Sequence, residues 1–436
     1  MPRVALYTLG CKVSQYESEA IAERFEEYGF EVVSARSQSD VYVINTCTVT
    51  AESDRKCRQV IRRLKGINPD AIVAVVGCYS QRAPMEIADL GVDIVIGTNG
   101  KLGVCDKVVE LIRAKGEEMP SEPRILVSSL DGAEFEPMCI KKAPRTRAYV
   151  KIEDGCEAKC TYCAISPARG PVRSKPREDV IAEVESLYKS GVREVVLTGI
   201  ETGSYGRDLG TGYGLADLIV ELDARGSAER IRLGSLAPEL IGGEFARKVK
   251  DAKILAPHFH LSMQSGSDRV LAKMKRRYTA EMAYRNIEAI REAIPGAEFT
   301  TDLMVGFPGE SEEDFLATVE FVKKVGFIAC HVFTYSRREG TPAADYPGQI
   351  PESEKKKRTR RLIEVANEVR DGVLDSVVRR KGELSVILET YRDGVYIGHS
   401  DEFYEVSVPA EGGMEGEYVR VKPISSSDGI IYAEML

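Results

Sequence analysis

The stretch Gly155-Cys156-Glu157-Ala158-Lys159-Cys160-Thr161-Tyr162-Cys163 decides how the rest of the chain is read. Its C-x3-C-x2-C spacing follows directly on an apolar, strand-like run at Ala148 to Ile152. Three thiols is the informative number. A [4Fe–4S] cube has four irons, so three thiolates leave one iron open to a small ligand. A structural zinc site would need a fourth Cys or His close by, and the next histidine downstream is His258. The spacing therefore favours an iron–sulfur cluster over zinc. Tyr162, between the second and third cysteines, reads either as a packing aromatic or as part of a ligand site.

Downstream of this loop, strand-like runs recur at Glu194 to Thr198, Arg230 to Leu233, His258 to Ser262, Phe299 to Met304 and Ile328 to Phe333, with a helical pattern in every gap. Six βα units fit a partial parallel barrel better than a small doubly wound sheet, although periodicity alone does not separate the two. Barrels of this kind place their chemistry at the carboxyl ends of the strands, where the cysteine loop falls. Upstream, Val4 to Leu9, Val41 to Ile44, Ile72 to Val76 and Asp93 to Ile96 alternate with amphipathic helical segments, predicting a doubly wound parallel α/β domain. A polar, proline-containing stretch from about Lys115 to Arg147, with an edge-strand signal at Arg124 to Val127, separates the two. The expected division is an α/β domain over 1–120, a linker over 121–141, a (β/α)6 partial barrel over 142–350, a connecting helix over 351–382 and a small all-β barrel over 383–436.

The 436 residues include ten cysteines and no tryptophan, and carry a net charge of −8. No stretch reads as a signal peptide and no apolar run is long enough to span a bilayer, so the expectation is a cytoplasmic protein with no membrane association. In a reducing compartment ten cysteines point to metal or redox chemistry rather than disulfides. Cys11, Cys47 and Cys78 each lie within three residues of the end of a predicted strand. In a parallel sheet those ends share one edge, so the three thiols can converge on a second three-thiolate site, or they can be three separate buried cysteines. Cys57, Cys105, Cys139 and Cys330 do not share this placement.

Two sets of three cysteines, ordered this way, resemble the methylthiotransferase family of radical S-adenosylmethionine (SAM) enzymes. The resemblance spans the chain. It includes Thr8-Leu9-Gly10-Cys11-Lys12-Val13, Asn45-Thr46-Cys47-Thr48-Val49-Thr50 and Gly77-Cys78-Tyr79-Ser80-Gln81, then Ala168 to Ser174, Gln264 to Asp268, Met274 to Thr279, Thr301 to Glu310 and Phe333 to Thr341. The terminal β module sits where that family has its TRAM domain. Within the family, the opening and the Cys47 segment are similar to the MtaB-type branch, which converts N6-threonylcarbamoyladenosine at tRNA position 37 to its 2-methylthio derivative; Ser14 departs from the Asn usual there. Related branches act on isopentenyladenosine in tRNA or on a ribosomal protein. An iron–sulfur, redox-sensing RNA-binding protein is the alternative of a different class.

The resemblance implies two [4Fe–4S] clusters: an auxiliary one on Cys11, Cys47 and Cys78, and one on Cys156, Cys160 and Cys163 that cleaves SAM. It implies SAM as both methyl donor and radical source, a tRNA anticodon stem-loop as partner, and an electron donor such as flavodoxin or ferredoxin. Tyr162, Gly199, Ser235, His260, Gln264 and Asp302 are the expected SAM contacts; Gly199 resembles a superfamily Gly-Gly-Glu segment in which Glu201 is displaced by one residue. Strand parity puts His258, His260 and Ser262 on one face, and Thr300, Asp302 and Met304 on one face of the next strand, so these polar groups are expected to meet a polar ligand or one another. Basic residues cluster at Lys141, Lys142, Arg145 and Arg147, and around Arg169, Arg173, Lys275, Arg276 and Arg277. The last five follow the cysteine loop or an active-face strand and are the expected phosphate contacts. The acidity lies in the terminal module, which has three basic and eleven acidic residues, leaving 57 of each sign in the rest of the chain. Net charge therefore does not exclude tRNA, but it sets the terminal module against phosphate contact.

Overall fold

The computed structural model describes residues 1–114, 122–144 and 146–436; Arg145 and the expected boundary at 120/121 lie outside them. The first layer is a six-stranded parallel sheet in the order β2-β1-β3-β4-β5-β6, built from β1 (Arg3–Thr8), β2 (Glu31–Val33), β3 (Val41–Thr46), β4 (Ile72–Gly77), β5 (Ile94–Ile96) and β6 (Arg124–Leu126). Continuous Val/Ile runs in β3 and β4 are what a strand covered on both faces requires. Helices Lys12–Glu27 and Val104–Ala114 bury Ile21, Phe25 and Val108 against one face, and helix Ala51–Ile67 buries Ile61 and Leu64 against the other. The edge strand falls where the sequence predicts it. Two elements were not anticipated: β2, too short to show a period, and the helix Cys78–Arg82, which begins on the third cysteine.

The second sheet follows the chain order expected of six βα units: β7 (Arg147–Lys151), β10 (Glu194–Thr198), β11 (Arg230–Leu233) with its continuation β12 (Ser235–Leu236), β13 (His258–Gln264), β14 (Glu298–Val305) and β15 (Ala329–Thr334). A two-residue ribbon, β8 (Glu153–Asp154) and β9 (Arg173–Ser174), brackets the cysteine loop. Pairing changes hands within the third strand. Its first half pairs with β10 and its second half with β13, so the sheet curves sharply at Gly234 without β7 meeting β15. This is an open, partial barrel.

Helix Glu352–Arg380 is amphipathic along its length, burying Leu362 and Ala366 in the barrel core and Leu374 and Val377 in the core of the terminal module. That module is a closed five-stranded barrel in the order β16-β17-β18-β20-β19, from β16 (Leu384–Arg392), β17 (Val395–Ser400), β18 (Glu405–Pro409), β19 (Tyr418–Ser427) and β20 (Ile430–Met435). The sequence pattern shows four of these; β20 closes the barrel and removes the open edge. The module packs on the amino-terminal ends of the partial-barrel strands. Its acidic groups meet arginines there: Glu389 pairs with Arg147, Asp401 with Arg230 and Glu417 with Arg193. Its tyrosines Tyr404 and Tyr418 donate to Glu298 and Glu194. Among the described residues no helix is long and apolar enough to cross a membrane.

Candidate metal and cofactor site

The carboxyl edges of the two parallel sheets meet at a cavity of about 300 Å³ lined by all six cysteines of the two predicted sets. Cys11, Cys47 and Cys78 arrive from the ends of β1, β3 and β4; Cys156, Cys160 and Cys163 arrive from the loop between β8 and β9. Glycine is required at the approach. Gly10 (φ +141°) leaves 2.8 Å between a notional Cβ and Ser14 Oγ, and Gly77 (φ +107°) leaves 2.7 Å to Asn45 Oδ1 and to the Thr46 carbonyl oxygen. Either substitution would push a cysteine-bearing loop off its strand.

Five of the six sulfurs accept a hydrogen bond from an N–H group. Backbone amides of Val49, Ala158 and Ile165 donate to Cys47, Cys156 and Cys163 at 3.5, 3.4 and 3.3 Å. Arg169 Nε donates to Cys78 Sγ at 3.1 Å and an Arg276 Nη to Cys160 Sγ at 3.3 Å. Cys11 Sγ lies 3.8 Å from Ser14 Oγ. Such donors stabilise thiolate charge, as ligand sulfurs of a metal centre require. Burial acts the other way, pushing Cys47 and Cys156 up to about 12 and raising Cys78 and Cys163 as well. A metal cation that takes the place of the protons offsets this effect of burial. Two three-thiolate sets with N–H donors on their sulfurs fit [4Fe–4S] clusters, each with one iron open.

Arg169 corrects an expectation. It has no exposed surface, and it sits at the centre of a buried ion cluster joining the two α/β layers, so it is not a phosphate contact. Its guanidinium meets Glu17 at 2.6 Å and Asp154 at 3.1 Å, while Lys101 and Lys151 reach Glu17 at 2.5 and 3.1 Å. Burial opposes ionisation of Glu17, but Arg169, Lys101 and Lys151 hold its carboxyl well below the usual range. Arg173 is likewise buried, donating to the carbonyls of Arg169 and Pro171. Arg276, also expected on phosphate, turns inward to Cys160, the Ser262 carbonyl and the Tyr278 hydroxyl. In each case a charge that the sequence assigns to phosphate is used to bind sulfur or a buried oxygen. Lys275 and Arg277 remain exposed, Arg277 donating to the Glu157 carbonyl in the cysteine loop at 2.7 Å.

Five of the six expected SAM contacts, Tyr162, Gly199, Ser235, Gln264 and Asp302, line the cysteine cavity. His260 does not. It lines an adjoining cavity of about 440 Å³ that shares Cys11, Gly199, Ser235 and Asp302 with the first and continues toward the amino-terminal ends of the strands. Parity explains this: His260 lies two residues below Ser262, on the same face but one step deeper in the barrel. Gly199 has no room for a side chain, since a Cβ would lie 2.4 Å from Glu153 Oε2. Glu201, left aside on sequence grounds, lines the cavity, accepts from the Ala237 amide at 3.0 Å and is pushed up to about 7 by burial. Asp302 is half-buried; the surrounding protein opposes its ionisation, yet His260 Nε2 at 3.3 Å and His331 Nδ1 at 3.2 Å keep its carboxyl well below the usual range. Phe333, Tyr335 and Ser336 also line the site; they fall in the Phe333 to Thr341 motif, where nothing in the residue types alone marks them.

The family described as "Radical SAM superfamily" matches residues 150–322, and "Uncharacterized protein family UPF0004" matches residues 3–97. The threonylcarbamoyladenosine tRNA methylthiotransferase MtaB of Bacillus subtilis is 40% identical over 97% of this chain and 94% of its own length. The tRNA-2-methylthio-N(6)-dimethylallyladenosine synthase of Moorella thermoacetica is 34% identical over 99% of this chain and 98% of its own. Among solved structures, the radical S-adenosylmethionine methyltransferase TsrM from Kitasatospora setae, with cobalamin and a [4Fe-4S] cluster bound, shares the fold at a TM-score of 0.57 and 18% identity, over 79% of this chain and 77% of that one. With its two cysteine triads, its three-part fold and full-length relatives of this kind, the chain belongs to the MtaB-type tRNA methylthiotransferases of the radical SAM superfamily.

Proposed function

We propose that this chain replaces the hydrogen at C2 of N6-threonylcarbamoyladenosine, at position 37 of tRNA, with a methylthio group. The observation that carries the reading is the single cavity onto which all six cysteines open. When bound, the cluster held by Cys156, Cys160 and Cys163 supplies the electron that splits SAM, and a second cluster on Cys11, Cys47 and Cys78 supplies the sulfur. The remaining work falls to the chain. Gly199 leaves space and Glu201 a carboxylate for the amino group of SAM; Arg276 steadies the Cys160 sulfur; Tyr162, Ser235, Gln264 and Asp302 enclose the cofactor. Residues 1–120 carry the sulfur-donating half and 142–350 the radical-generating half, with 121–141 linking them, the 351–382 helix bracing the barrel and the 383–436 module closing its floor. Lys275 and Arg277, on the rim, meet tRNA phosphates. A single-stranded anticodon loop presents the target base, which must leave its stack to enter. The enzyme works in the cytoplasm, with a flavodoxin or ferredoxin as reductant. Mass spectrometry of tRNA nucleosides from a strain lacking the gene and any paralogue tests this: the 2-methylthio-threonylcarbamoyl nucleoside should vanish, and its persistence would refute the substrate.

A further inference from the structure

The adjoining 440 Å³ cavity holds one cation that makes no hydrogen bond or ion pair among the described residues. Its lining includes three cations, Lys12, Arg147 and Arg232, and one carboxylate, Asp302. Arg147 and Arg232 both reach Glu194, at 2.6 and 2.9 Å, and Arg147 also reaches Glu389. Asp302 is engaged by His260 and His331. Lys12, half-buried at the top of the helix that follows Cys11, has no hydrogen bond or ion pair among the described residues; burial, Arg147 and Arg232 disfavour its charge more than Asp302 and Cys11 favour it. A cation placed in a largely desolvated wall without a partner is costly unless a ligand supplies the anion. The rest of the wall suits a polar group. Thr300 bridges His258 and His260 at 2.9 and 2.8 Å, and His258, deeply buried beside Arg232, is held neutral and can donate or accept. The floor is Phe403 of the terminal module, stacked on His258 at 4.5 Å and His399 at 4.4 Å under the guanidinium groups of Arg147 and Arg232. Phe403 holds a left-handed backbone (φ +77°), a strained conformation for an aromatic residue that the surrounding stack enforces.

On an adenine ring C2 and the N6 amino group flank N1 along one edge, so a base whose C2 reaches the cysteine cavity can turn its N6 substituent into the adjoining cavity, which shares Cys11, Gly199, Ser235 and Asp302 with it. We propose that this second cavity is the pocket for a carboxylate-bearing N6 substituent, with Lys12 as its counter-ion and Phe403 as its floor; the inference rests on the functional reading above. An isopentenyl group would instead leave Lys12 buried against hydrocarbon, so the pocket separates the two tRNA substrates by charge.

The test uses the full-length, anaerobically reconstituted protein and anticodon stem-loop RNAs bearing threonylcarbamoyladenosine, its threonyl methyl ester, or isopentenyladenosine, with binding read by fluorescence anisotropy. Lys12→Met should bind the acid RNA at least about thirtyfold more weakly than the wild type, the loss expected when one partner of a buried charge pair is removed. Lys12→Arg should recover most of that loss, both proteins should bind the ester RNA alike, and Lys12→Gln provides a second truncation should Lys12→Met fold poorly. Equal binding of acid and ester RNA by the wild type, or the same loss for both RNAs on truncation, overturns the inference. So does a matching fall in affinity for SAM alone, which would give Lys12 to the carboxylate of the cofactor. If the wild type methylthiolates the isopentenyl RNA and leaves the threonylcarbamoyl RNA untouched, the functional reading itself fails; if it processes the acid and ester RNAs equally well, only the pocket assignment does.

Discussion

The two cysteine triads face one cavity but are assembled by different means. The barrel triad is local: eight residues carry it, and two of its three sulfurs are held by amides of the same loop, those of Ala158 and Ile165. The amino-terminal triad is spread over 68 residues and exists only because β1, β3 and β4 end on one edge. Its Cys78 sulfur also takes a donor from the other layer, Arg169, whose charge is fixed by Glu17 on the helix after Cys11. One site is therefore a property of a loop, the other of a docked interface. Separating them should be possible, and the largest effect comes from removing the ligands themselves. Replacing Cys156, Cys160 and Cys163 with Ala should lower bound iron from about eight to about four per chain and abolish SAM cleavage. Replacing Cys11, Cys47 and Cys78 should remove a similar amount of iron yet leave SAM cleavage without methylthiolation. If either triple variant loses both sets of iron, the sites are not independent.

Next in size are the two arginines that touch sulfur. Arg169→Met leaves Glu17 and Asp154 buried with diminished compensation, and breaking such a pair costs about 3–5 kcal/mol. Thermal unfolding of the apo protein should register this, and the auxiliary iron should be lost with it. Arg276→Met removes a donor from Cys160 but strands no carboxylate. Its expected effect is a fall in SAM cleavage of roughly ten- to a hundredfold with both iron sets retained. Equal destabilisation by the two variants would erase the distinction between interface and loop.

That distinction also explains what could be read in the sequence. Cys156, Cys160 and Cys163 announce themselves by spacing. The convergence of Cys11, Cys47 and Cys78 follows once the Val/Ile runs are taken as parallel strands, because topology alone puts their ends together. Arg169, Arg173 and Arg276 misled for a physical reason: a basic residue has the same signature whether it faces phosphate, a buried carboxylate or a sulfur, and only packing against Glu17, Asp154 and Cys160 decides. The acidity of the terminal module had a comparable resolution. Glu389, Asp401 and Glu417 answer arginines at the barrel floor, a pairing between segments more than 150 residues apart that leaves no local trace. The continuation of the third strand was hidden because only two residues, Ser235 and Leu236, follow the break at Gly234, and the closing β20 is legible only through its pairing with β18 and β19.

Glu201 offers a smaller test on the barrel side, where the loop triad meets SAM. Burial holds its carboxyl near 7 against an ordinary 4.5, so between those values the folded chain carries a proton that the unfolded chain has lost. Stability should therefore fall as pH rises from about 4.5 to 7 and level off above, by at most about 3 kcal/mol. Glu201→Gln should flatten that slope in unfolding measured across the interval, and a slope unchanged in the variant would assign it to another group. Binding of the SAM ammonium group favours the ionised form, so affinity for SAM should rise over the same range in the wild type and stay flat in the variant.

The smallest expected effect lies outside both triads, on the rim of the loop site. Lys275 and Arg277 are the exposed remainder of a basic cluster whose inner member, Arg276, is committed to Cys160. Replacing both with Ala frees up to two phosphates and keeps every cysteine and its N–H donor, at the cost of the one Arg277 bond to the Glu157 carbonyl. Binding of tRNA should weaken alike for modified and unmodified RNA, and the slope of log affinity against log salt should become shallower by about 0.7 for each phosphate no longer neutralised, the single-strand value. A weakening confined to the modified RNA would place these residues on the base rather than the backbone. An unchanged slope would move the phosphate footprint away from the loop triad, toward the half of the molecule that carries the dispersed one.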